Sequence, residues 1–535
     1  MPRLAPVTSA TLPCNPLSML ESLSVATIPV MATTVKTART VGQTIEAAAQ
    51  RWPDRIGVDF GISSYTYRDL WSRARRAAAA FAAQGVKPGE AVLVMLDNTI
   101  EFVDAWLGLA LIGAIQVPVN TGYLGEILRH QVKDSGAWLM LVDQAYVSRV
   151  EALGADRGAL RRLLVVASGS RAWEEIFESA TELPTDAIVA AAEHDIVAIM
   201  YTSGTTGPSK GVRVAHAHAY TYAQHAGEAM QLVEGDAYFA PLPLFHIAGQ
   251  WALVYACFQV GAKAIVRRRF SAGEFWSTVR ESGARVSFLL GAMANFLARQ
   301  EPKPDDVDNP IERMLVVPLI DDVDDFRRRF GVRVCTCYGS TEVNVPLISG
   351  YEVTEPGIAG RPVPGFDIRI VDEDDREVPV GAVGELVVRS AEPWLLATEY
   401  HRNPEASLRL FGNLWLHTGD AFRKDAHENY FFVDRIKDYI RRRGENISSF
   451  EVEREVNAHP AVLECAAVAV KSASTEDDLK VVVVLKSGMT LDPEDLREFL
   501  RGRVPSFMVP DIVEVMAELP KTPTGKIQKH LLRGR

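Results

Sequence analysis

Cysteine is scarce: the 535 residues hold five, Cys14, Cys257, Cys335, Cys337 and Cys465, an odd set with no zinc-ligand spacing. A disulfide framework and a structural zinc site are both excluded, and a reducing, cytoplasmic setting is expected. Cys335 and Cys337 alternate along a strand-like run, and with no second pair or neighbouring histidine they read as plain sheet residues. Long apolar runs are missing too: none approaches the ~20 residues that a membrane-spanning helix needs, so stable membrane insertion is not expected. There is no excess of positive charge. The 57 Lys and Arg against 68 Asp and Glu leave −11, which argues against a nucleic-acid surface while leaving room for a local basic patch such as Arg441 to Arg443. Internal repeats are absent. The first forty residues lack the features of a secretory signal, because the apolar part from Leu17 to Ala32 is interrupted by Glu21 and preceded by one charge, Arg3. They read as a mobile extension, or as sequence upstream of a start at Met31.

What is present is ordinary globular material, 47% hydrophobic and 23% charged, in a chain too long for one core. From Thr44 a helical face (Ile45, Ala48, Ala49) leads to a hairpin at Ile56–Phe60 and Ser64–Tyr67, then a long Ala/Arg helix ending at Gly85. Buried strands at Ala91–Leu96, Ala114–Val119, Trp138–Val142 and Leu163–Val166 then alternate with helices, and the pattern continues through Val286–Leu290 and a single strand at Val332–Cys337. After Gly350 the texture becomes Gly, Pro and alternating strands, and near Lys437 it changes again to short helices and strands, with Asp492 capping a helix that starts at Pro493. The expected fold is α/β: a large multi-subdomain N-terminal domain of parallel α/β sheets plus a β-rich subdomain over 41–436, and a small, mobile α+β C-terminal domain over 437–535. Residues 1–40 form the extension.

One stretch organises the chain. Tyr201-Thr202-Ser203-Gly204-Thr205-Thr206-Gly207-Pro208-Ser209-Lys210-Gly211-Val212 follows the apolar strand Ile196–Met200 and packs hydroxyls, glycines and one lysine into a single loop. Glycines let backbone approach phosphate oxygens, Thr202, Ser203, Thr205 and Thr206 supply donors, and Lys210 supplies a point charge. The spacing is not that of a Walker A motif, and Gly211 stands where Ser or Thr would be required. The alternative, a flexible surface linker, does not account for Pro-Ser-Lys-Gly straight after a buried strand.

This loop resembles the signature of the adenylate-forming superfamily of acyl-CoA synthetases, luciferases and peptide-synthetase adenylation domains, and further segments resemble the superfamily's other signatures in order, so that the likeness spans about Val41 to Gln528. In Tyr338-Gly339-Ser340-Thr341-Glu342 the resemblance implies Tyr338 against adenine, Gly339 and Ser340 in the same nucleotide loop, Thr341 at the α-phosphate and Glu342 on Mg2+. In Trp415-Leu416-His417-Thr418-Gly419-Asp420 it implies Asp420 on both ribose hydroxyls, where a turn aspartate is the bland reading. In Asp434-Arg435-Ile436-Lys437-Asp438 it implies Arg435 as a second ribose contact and Lys437 as a domain hinge. Arg442-Arg443-Gly444-Glu445-Asn446 resembles the loop lining the pantetheine channel, with Arg443 where a glycine is usual; Gly444 admits close backbone approach and Arg443 adds charge that could meet a CoA phosphate. Pro520-Lys521-Thr522-Pro523-Thr524-Gly525-Lys526 resembles the C-terminal catalytic loop, with Lys526 reaching carboxylate and α-phosphate. His246, in Pro243-Leu244-Phe245-His246, stands where the family keeps a gate beside the acyl pocket; a satisfied core histidine is the alternative. Gln250, Trp251, Gly291, Met293, Val343 and Asn344 are the further substrate-pocket candidates.

The resemblance implies an ATP-dependent carboxylic acid:CoA ligase, which forms acyl-AMP and pyrophosphate and then acyl-CoA and AMP, with ATP, Mg2+ and coenzyme A as cofactors and a small carboxylic acid as substrate. Two rivals stay open: loading of a carrier-protein thiol, and a nucleotide-binding homologue without catalysis. Assembly is open as well, a homodimer included. Leu315-Val316-Val317-Pro318-Leu319, in place of the usual Gly-Gly-Ala-Pro, together with Phe432-Val433-Asp434-Arg435 and Phe275-Trp276, is similar to the bacterial crotonobetaine/carnitine-CoA ligase branch. The pocket candidates do not spell out a cage for a quaternary ammonium, since Trp251 alone offers a ring face.

Overall fold

The structure, a computed structural model, describes residues 39–166, 172–202, 209–355, 357–436, 440–442, 445–447, 449–471, 477–501, 503–504, 506–522 and 525–533. Three seven-stranded sheets build the large domain. In the first, Ile196–Thr202, Ile115–Pro118, Ala91–Met95, Leu139–Asp143 and Arg162–Val166 run parallel, and Lys210–Ala215 and Glu399–Tyr400 add two antiparallel strands at one edge. In the second, Arg333–Cys335, Arg313–Val317, Val286–Leu290, Ala237–Phe239, Lys263–Ile265 and Ile56–Asp59 run parallel, closed by the antiparallel Ser64–Thr66. The strands are apolar on both faces because helices cover both faces.

Local chemistry sets the helices between these sheets. Thr66 and Asp69 exchange hydrogen bonds in a capping box that starts Tyr67–Ala83. The following helix, Ile100–Leu111, buries every residue but Glu101, as a helix sandwiched by other elements must. One apolar core joins these helices to both sheets through Trp106, Tyr255 and Phe258.

The third sheet is antiparallel throughout: Cys337–Ser340, Asn344–Ile348, Ile358–Pro362, Tyr430–Arg435, Leu416–Lys424, Gly384–Ser390 and Phe366–Val371. It starts at Cys337, earlier than the change of texture at Gly350 suggests. The run Val332–Cys337, expected as one strand, divides instead: Cys335 ends a strand of the second sheet, and Cys337 begins the third. Thr336 at the break donates its backbone N–H to Ser349 Oγ (2.8 Å), so the chain changes sheets without losing a buried hydrogen bond. The C-terminal part is a smaller domain in which Val462–Lys471, Asp477–Leu485 and Ile512–Val515 form a three-stranded sheet and Ile440–Arg442 pairs with Glu445–Ile447. Its core of Val452, Val456, Leu479, Val481, Leu496 and Leu500 is its own. Among the described residues, no helix is long and apolar enough to cross a membrane.

Helix His216–Ala229 carries three histidines, His216, His218 and His225, into this interior. His216 Nδ1 accepts the N–H of Val41, the first residue of helix Val41–Arg51, at 3.2 Å. Burial pushes both His216 and His218 from the ordinary 6.5 down to about 4. Between pH ~6.5 and ~4 the unfolded chain therefore takes up protons that the folded chain refuses, so stability is fully present above that window and is lost as pH falls through it, by at most about 3 kcal/mol for each histidine. The urea midpoint is expected to be lower at pH 5 than at pH 7, and the difference to shrink in His216→Gln, whose amide accepts the Val41 N–H without titrating.

Candidate active site

The phosphate-loop stretch is a β-hairpin. Strand Ile196–Thr202 turns back as Lys210–Ala215, with Thr202 opposite Lys210 at the last pair. The sequence reading ended the strand at Met200 and placed Lys210 in the loop; the structure places Lys210 on a strand, so its amine springs from a hydrogen-bonded frame. Ser203, Gly204, Thr205 and Thr206 lie outside the described residues, as do Lys437, Arg443 and Gly444. Helix Gly125–Ser135 braces the hairpin: Tyr201 donates to Asp134 Oδ2 at 2.6 Å, and His130 Nε2 lies 2.8 Å from the Ser209 carbonyl. Neither brace is visible in sequence, since His130 and Asp134 sit on an unremarked amphipathic helix.

Glu342 rises from the tight connection between Cys337–Ser340 and Asn344–Ile348. Ser340 Oγ accepts the N–H groups of Glu342 and Val343 and donates to Glu342 Oε2 at 3.1 Å. Gly339 is required there, because a Cβ would stand 2.4 Å from the Asn344 carbonyl oxygen. Thr341 is buried in the same turn. Glu342 Oε1 accepts from Thr202 Oγ1 at 3.2 Å and from the Tyr400 hydroxyl at 3.1 Å. Tyr400, which the sequence reading missed, also places its ring 4.7 Å from Lys210 Nζ, so one side chain touches the carboxylate and the cation of the phosphate site. Its strand, Glu399–Tyr400, reaches the hairpin only through pairing with Lys210–Ala215.

Asp420 and Arg435 face each other across two antiparallel strands, with Arg435 Nε 3.0 Å from Asp420 Oδ1. Asp420 sits in the middle of the nine-residue strand Leu416–Lys424, so the bland alternative of a turn aspartate does not hold. Tyr338 donates to Asp420 Oδ2 at 2.6 Å, and its ring meets Phe422 edge-on. Burial raises the Asp420 pKa, opposed by Arg435 and the Tyr338 hydroxyl. Asp420 Oδ1 is buried and accepts no hydrogen bond despite its ion pair. The other oxygen of Asp420 takes the Tyr338 hydroxyl.

Lys526 enters from the small domain. Its loop closes on itself, Thr522 N–H to the Lys526 carbonyl at 2.7 Å and Lys526 N–H to Thr522 Oγ1 at 3.1 Å. Lys526 keeps much of its surface in solvent, and desolvation together with Arg435 pulls the pKa of its amine below the usual lysine range while Glu342 and Asp420 hold it up. His246 faces the same amine. Burial, and then Lys526, lowers His246 to about 4, so its ring is neutral near pH 7. Its Nδ1 accepts the Ala248 N–H at 3.2 Å, at the entry to the π-helix Ala248–Tyr255. Gly249 permits that turn, since a Cβ would lie 2.2 Å from the Pro243 carbonyl oxygen. Lys210, Glu342, Asp420, Arg435, Lys526, His246 and Tyr338 therefore converge from two sheets, the loop that carries His246 and the small domain.

The other pocket candidates fare differently. Trp251 is wholly buried against Tyr222 (5.9 Å between ring centroids), and Val343 and Asn344 are equally enclosed; the Asn344 amide donates to the carbonyls of His218 (3.2 Å) and Leu395 (2.9 Å). All three are enclosed in the packed interior, and Trp251 exposes no ring face to solvent. Gln250 is buried with its amide 2.7 Å from that of Gln116, and Gly291 sits where a Cβ would meet the Pro318 carbonyl at 2.7 Å. Met293 is half-buried between two core clusters.

Tyr400→Phe removes the hydroxyl on Glu342 but keeps the ring beside Lys210, whereas Tyr400→Leu removes both. A hydrogen bond to a charged acceptor is worth about 1.5–3 kcal/mol, so the first change is expected to weaken MgATP binding about 10-fold or more and the second to weaken it further. Isothermal titration of each folded variant with MgATP checks this; equal affinity of Tyr400→Phe and the parent would remove the hydroxyl's role.

Comparison with known proteins agrees with this geometry. The model of the AMP-binding enzyme family matches residues 45–401, and that of the AMP-binding enzyme C-terminal domain matches 451–526. The crotonobetaine/carnitine–CoA ligase of Salmonella typhimurium is 31% identical over 512 residues, covering 90% of this chain and 98% of the relative. That of Escherichia coli is 31% identical over 484 residues, covering 88% and 93%. Among solved structures, an anthranilate CoA ligase in complex with anthranoyl-AMP superposes with a TM-score of 0.84 at 23% identity, covering 93% of this chain and 97% of that one. A benzoate CoA ligase from Burkholderia xenovorans gives 0.83 at 26% identity, covering 92% and 99%. With both of its models matched in order and an acidic, lysine-flanked nucleotide cleft assembled between them, the chain belongs to the AMP-binding enzyme family.

Proposed function

We propose that the protein is an ATP-dependent carboxylic acid:CoA ligase. The observation that carries this reading is the convergence of Lys526, from the small domain, with Glu342, Asp420 and Arg435 of the large one. A substrate carboxylate oxygen attacks the α-phosphorus of ATP, the bond to the β-phosphate oxygen breaks, and pyrophosphate leaves. The sulfur of CoA then attacks the acyl carbonyl of acyl-AMP, its thiol proton is lost, and AMP leaves. Asp420 Oδ1 and Arg435 orient the ribose, Lys210 and Thr202 face the outer phosphates, and Lys526 offsets the charge that builds on the α-phosphate and the attacking carboxylate. His246, neutral and half-buried, walls the acid's side of the cleft without carrying charge against it.

Glu342 fits a magnesium ion. No group of three or more His, Cys, Asp or Glu gathers among the described residues. A lone carboxylate ringed by hydroxyls from Thr202, Ser340 and Tyr400 suits Mg2+ bound through phosphates and water rather than a protein cage. When bound, the ion would neutralise phosphate charge and keep the leaving group aligned.

The small domain is proposed to present Lys526 for the first step and to turn about Lys437 for the second, when the loop of Arg443 and Gly444 would line the CoA channel. The acid itself is open: burial of Trp251 removes the one aromatic face suggested for a quaternary ammonium, so the panel to test spans short alkyl, aryl and betaine-type acids. Acid-dependent pyrophosphate release, followed by CoA-dependent AMP release, identifies the reaction. Pyrophosphate release whose product is never passed to CoA would favour a carrier-protein thiol, and no release with any acid would sink the reading.

Lys526→Ala separates the steps. Losing a charge aimed at the transition state costs on the order of 3 kcal/mol, so acyl-AMP formation is expected to fall about a hundredfold or more, while thioester formation from synthetic acyl-AMP and CoA proceeds near the parent rate. Glu342→Gln is expected to raise the Mg2+ concentration needed for half-maximal pyrophosphate release while leaving the thermal midpoint near the parent's. An unchanged Mg2+ requirement would remove Glu342 from that role.

A further inference from the structure

Neighbouring residues on a strand point to opposite faces. On Tyr430–Arg435, Arg435 turns toward Asp420 in the cleft, and Asp434 turns the other way, into the start of the small domain's helix Ser449–Asn457. Asp434 and Ser449 are both buried. Ser449 donates its backbone N–H and its hydroxyl to the same oxygen, Asp434 Oδ2, each at 2.6 Å, while Asp434 Oδ1 accepts the Arg435 N–H at 2.7 Å. A carboxylate at a helix N-terminus is stabilised there by the orphan N–H groups of the first turn.

The contact continues into the small domain. Lys529, three positions after Lys526 in sequence, donates to Ser449 Oγ at 2.5 Å and pairs with Glu453 at 2.9 Å, and Glu453 accepts the N–H of Ala467 from the three-stranded sheet at 2.8 Å. The end of the Lys526 loop is fastened by Gln528 N–H to the Pro520 carbonyl at 2.8 Å. A hydrogen-bonded path therefore runs from the strand that carries Arg435, through Ser449 and Lys529, to the segment that carries Lys526. Elsewhere across the two domains, Arg299 donates to the Leu463 carbonyl at 2.7 Å.

Asp434 and Ser449 lie on opposite sides of position 437 in the chain, and Ser449, Glu453 and Lys529 are bonded to one another within the small domain. We propose that Asp434 and Ser449 are positioning residues: their contact latches the small domain in the orientation that delivers Lys526 to the nucleotide, and must open before the CoA half-reaction. This rests on the two-orientation reading above. The contact biases an equilibrium between two docked states, and its removal shifts populations without touching either set of reacting atoms.

The test measures both half-reactions in the full-length protein: acid-dependent pyrophosphate release from ATP, and acyl-CoA formation from synthetic acyl-AMP plus CoA. Asp434→Ala removes both bonds to Ser449, together with the acceptor of the Arg435 N–H, and is expected to lower the ratio of the first rate to the second about 10-fold or more; Ser449→Ala, which leaves Asp434 and Arg435 intact and keeps the backbone donor, should lower it by less, and Ser449→Thr, which keeps the hydroxyl, should restore it. Thermal melting shows that each variant is folded, and if Asp434→Ala does not fold, Ser449→Ala against Ser449→Thr decides alone. Parallel loss of both half-reactions, or an unchanged ratio, overturns the latch. Lys526→Ala in the same two assays keeps the questions apart: if it splits the half-reactions and the Asp434 and Ser449 variants do not, the latch is wrong and the two-orientation reading stands, whereas if Lys526→Ala does not split them, that reading falls first.

Discussion

A cleft that must hold a polyanion needs cations, and cations left together without a ligand repel. The structure resolves this by setting each positive group against a carboxylate or a ring: Arg435 against Asp420, Lys210 against Tyr400, and Lys526 within the field of both Glu342 and Asp420. The rest of the architecture follows from where these counter-charges must stand. Asp420 and Arg435 come from neighbouring antiparallel strands of the third sheet, Lys210 from the edge hairpin of the first, and Glu342 from a turn of the third beside that hairpin. Two of the three sheets must meet at one edge for the site to exist, and the small domain must close over that edge to supply Lys526.

Preorganisation explains the polar detail. Glu342 is gripped by three hydroxyls, Asp420 by a phenol and a guanidinium, and His246 by the backbone at the mouth of a π-helix, so little reorganisation remains when a ligand arrives. Two glycines mark where backbone crowding allows nothing larger: Gly339 beneath the Glu342 turn and Gly249 under the His246 turn. The small domain's attachment is partly polar, through Asp434 with Ser449 and Arg299 with Leu463, beside an edge-on contact of Phe432 with Phe450.

Much of this was legible along the chain. Runs of apolar residues bounded by Gly, Pro and Asp marked most parallel strands, because a strand buried on both faces has no alternative composition. The phosphate hairpin, the Tyr338–Glu342 turn and the Lys526 loop stood out because tight turns near phosphate demand Gly, Ser and Thr in short order. The acyl-pocket candidates are less legible for the opposite reason. Trp251, Val343 and Asn344 are what either a pocket or a core would use, and only packing distinguishes the two.

The sequence by itself determined the class of fold and the order of its parts, and marked the short segments that furnish the candidate site, since helix caps, strand runs and glycine turns are properties of a few adjacent residues. Tertiary structure alone decided that Tyr400 touches both Glu342 and Lys210, that Tyr338 claims one oxygen of Asp420, that the run Val332–Cys337 serves two sheets, and that Asp434 meets Ser449. Those pairings join residues far apart in the chain, or divide a run whose local pattern is uniform. No local preference encodes them: they arise when burying apolar surface forces particular strands side by side and the polar groups left at the seams must find partners.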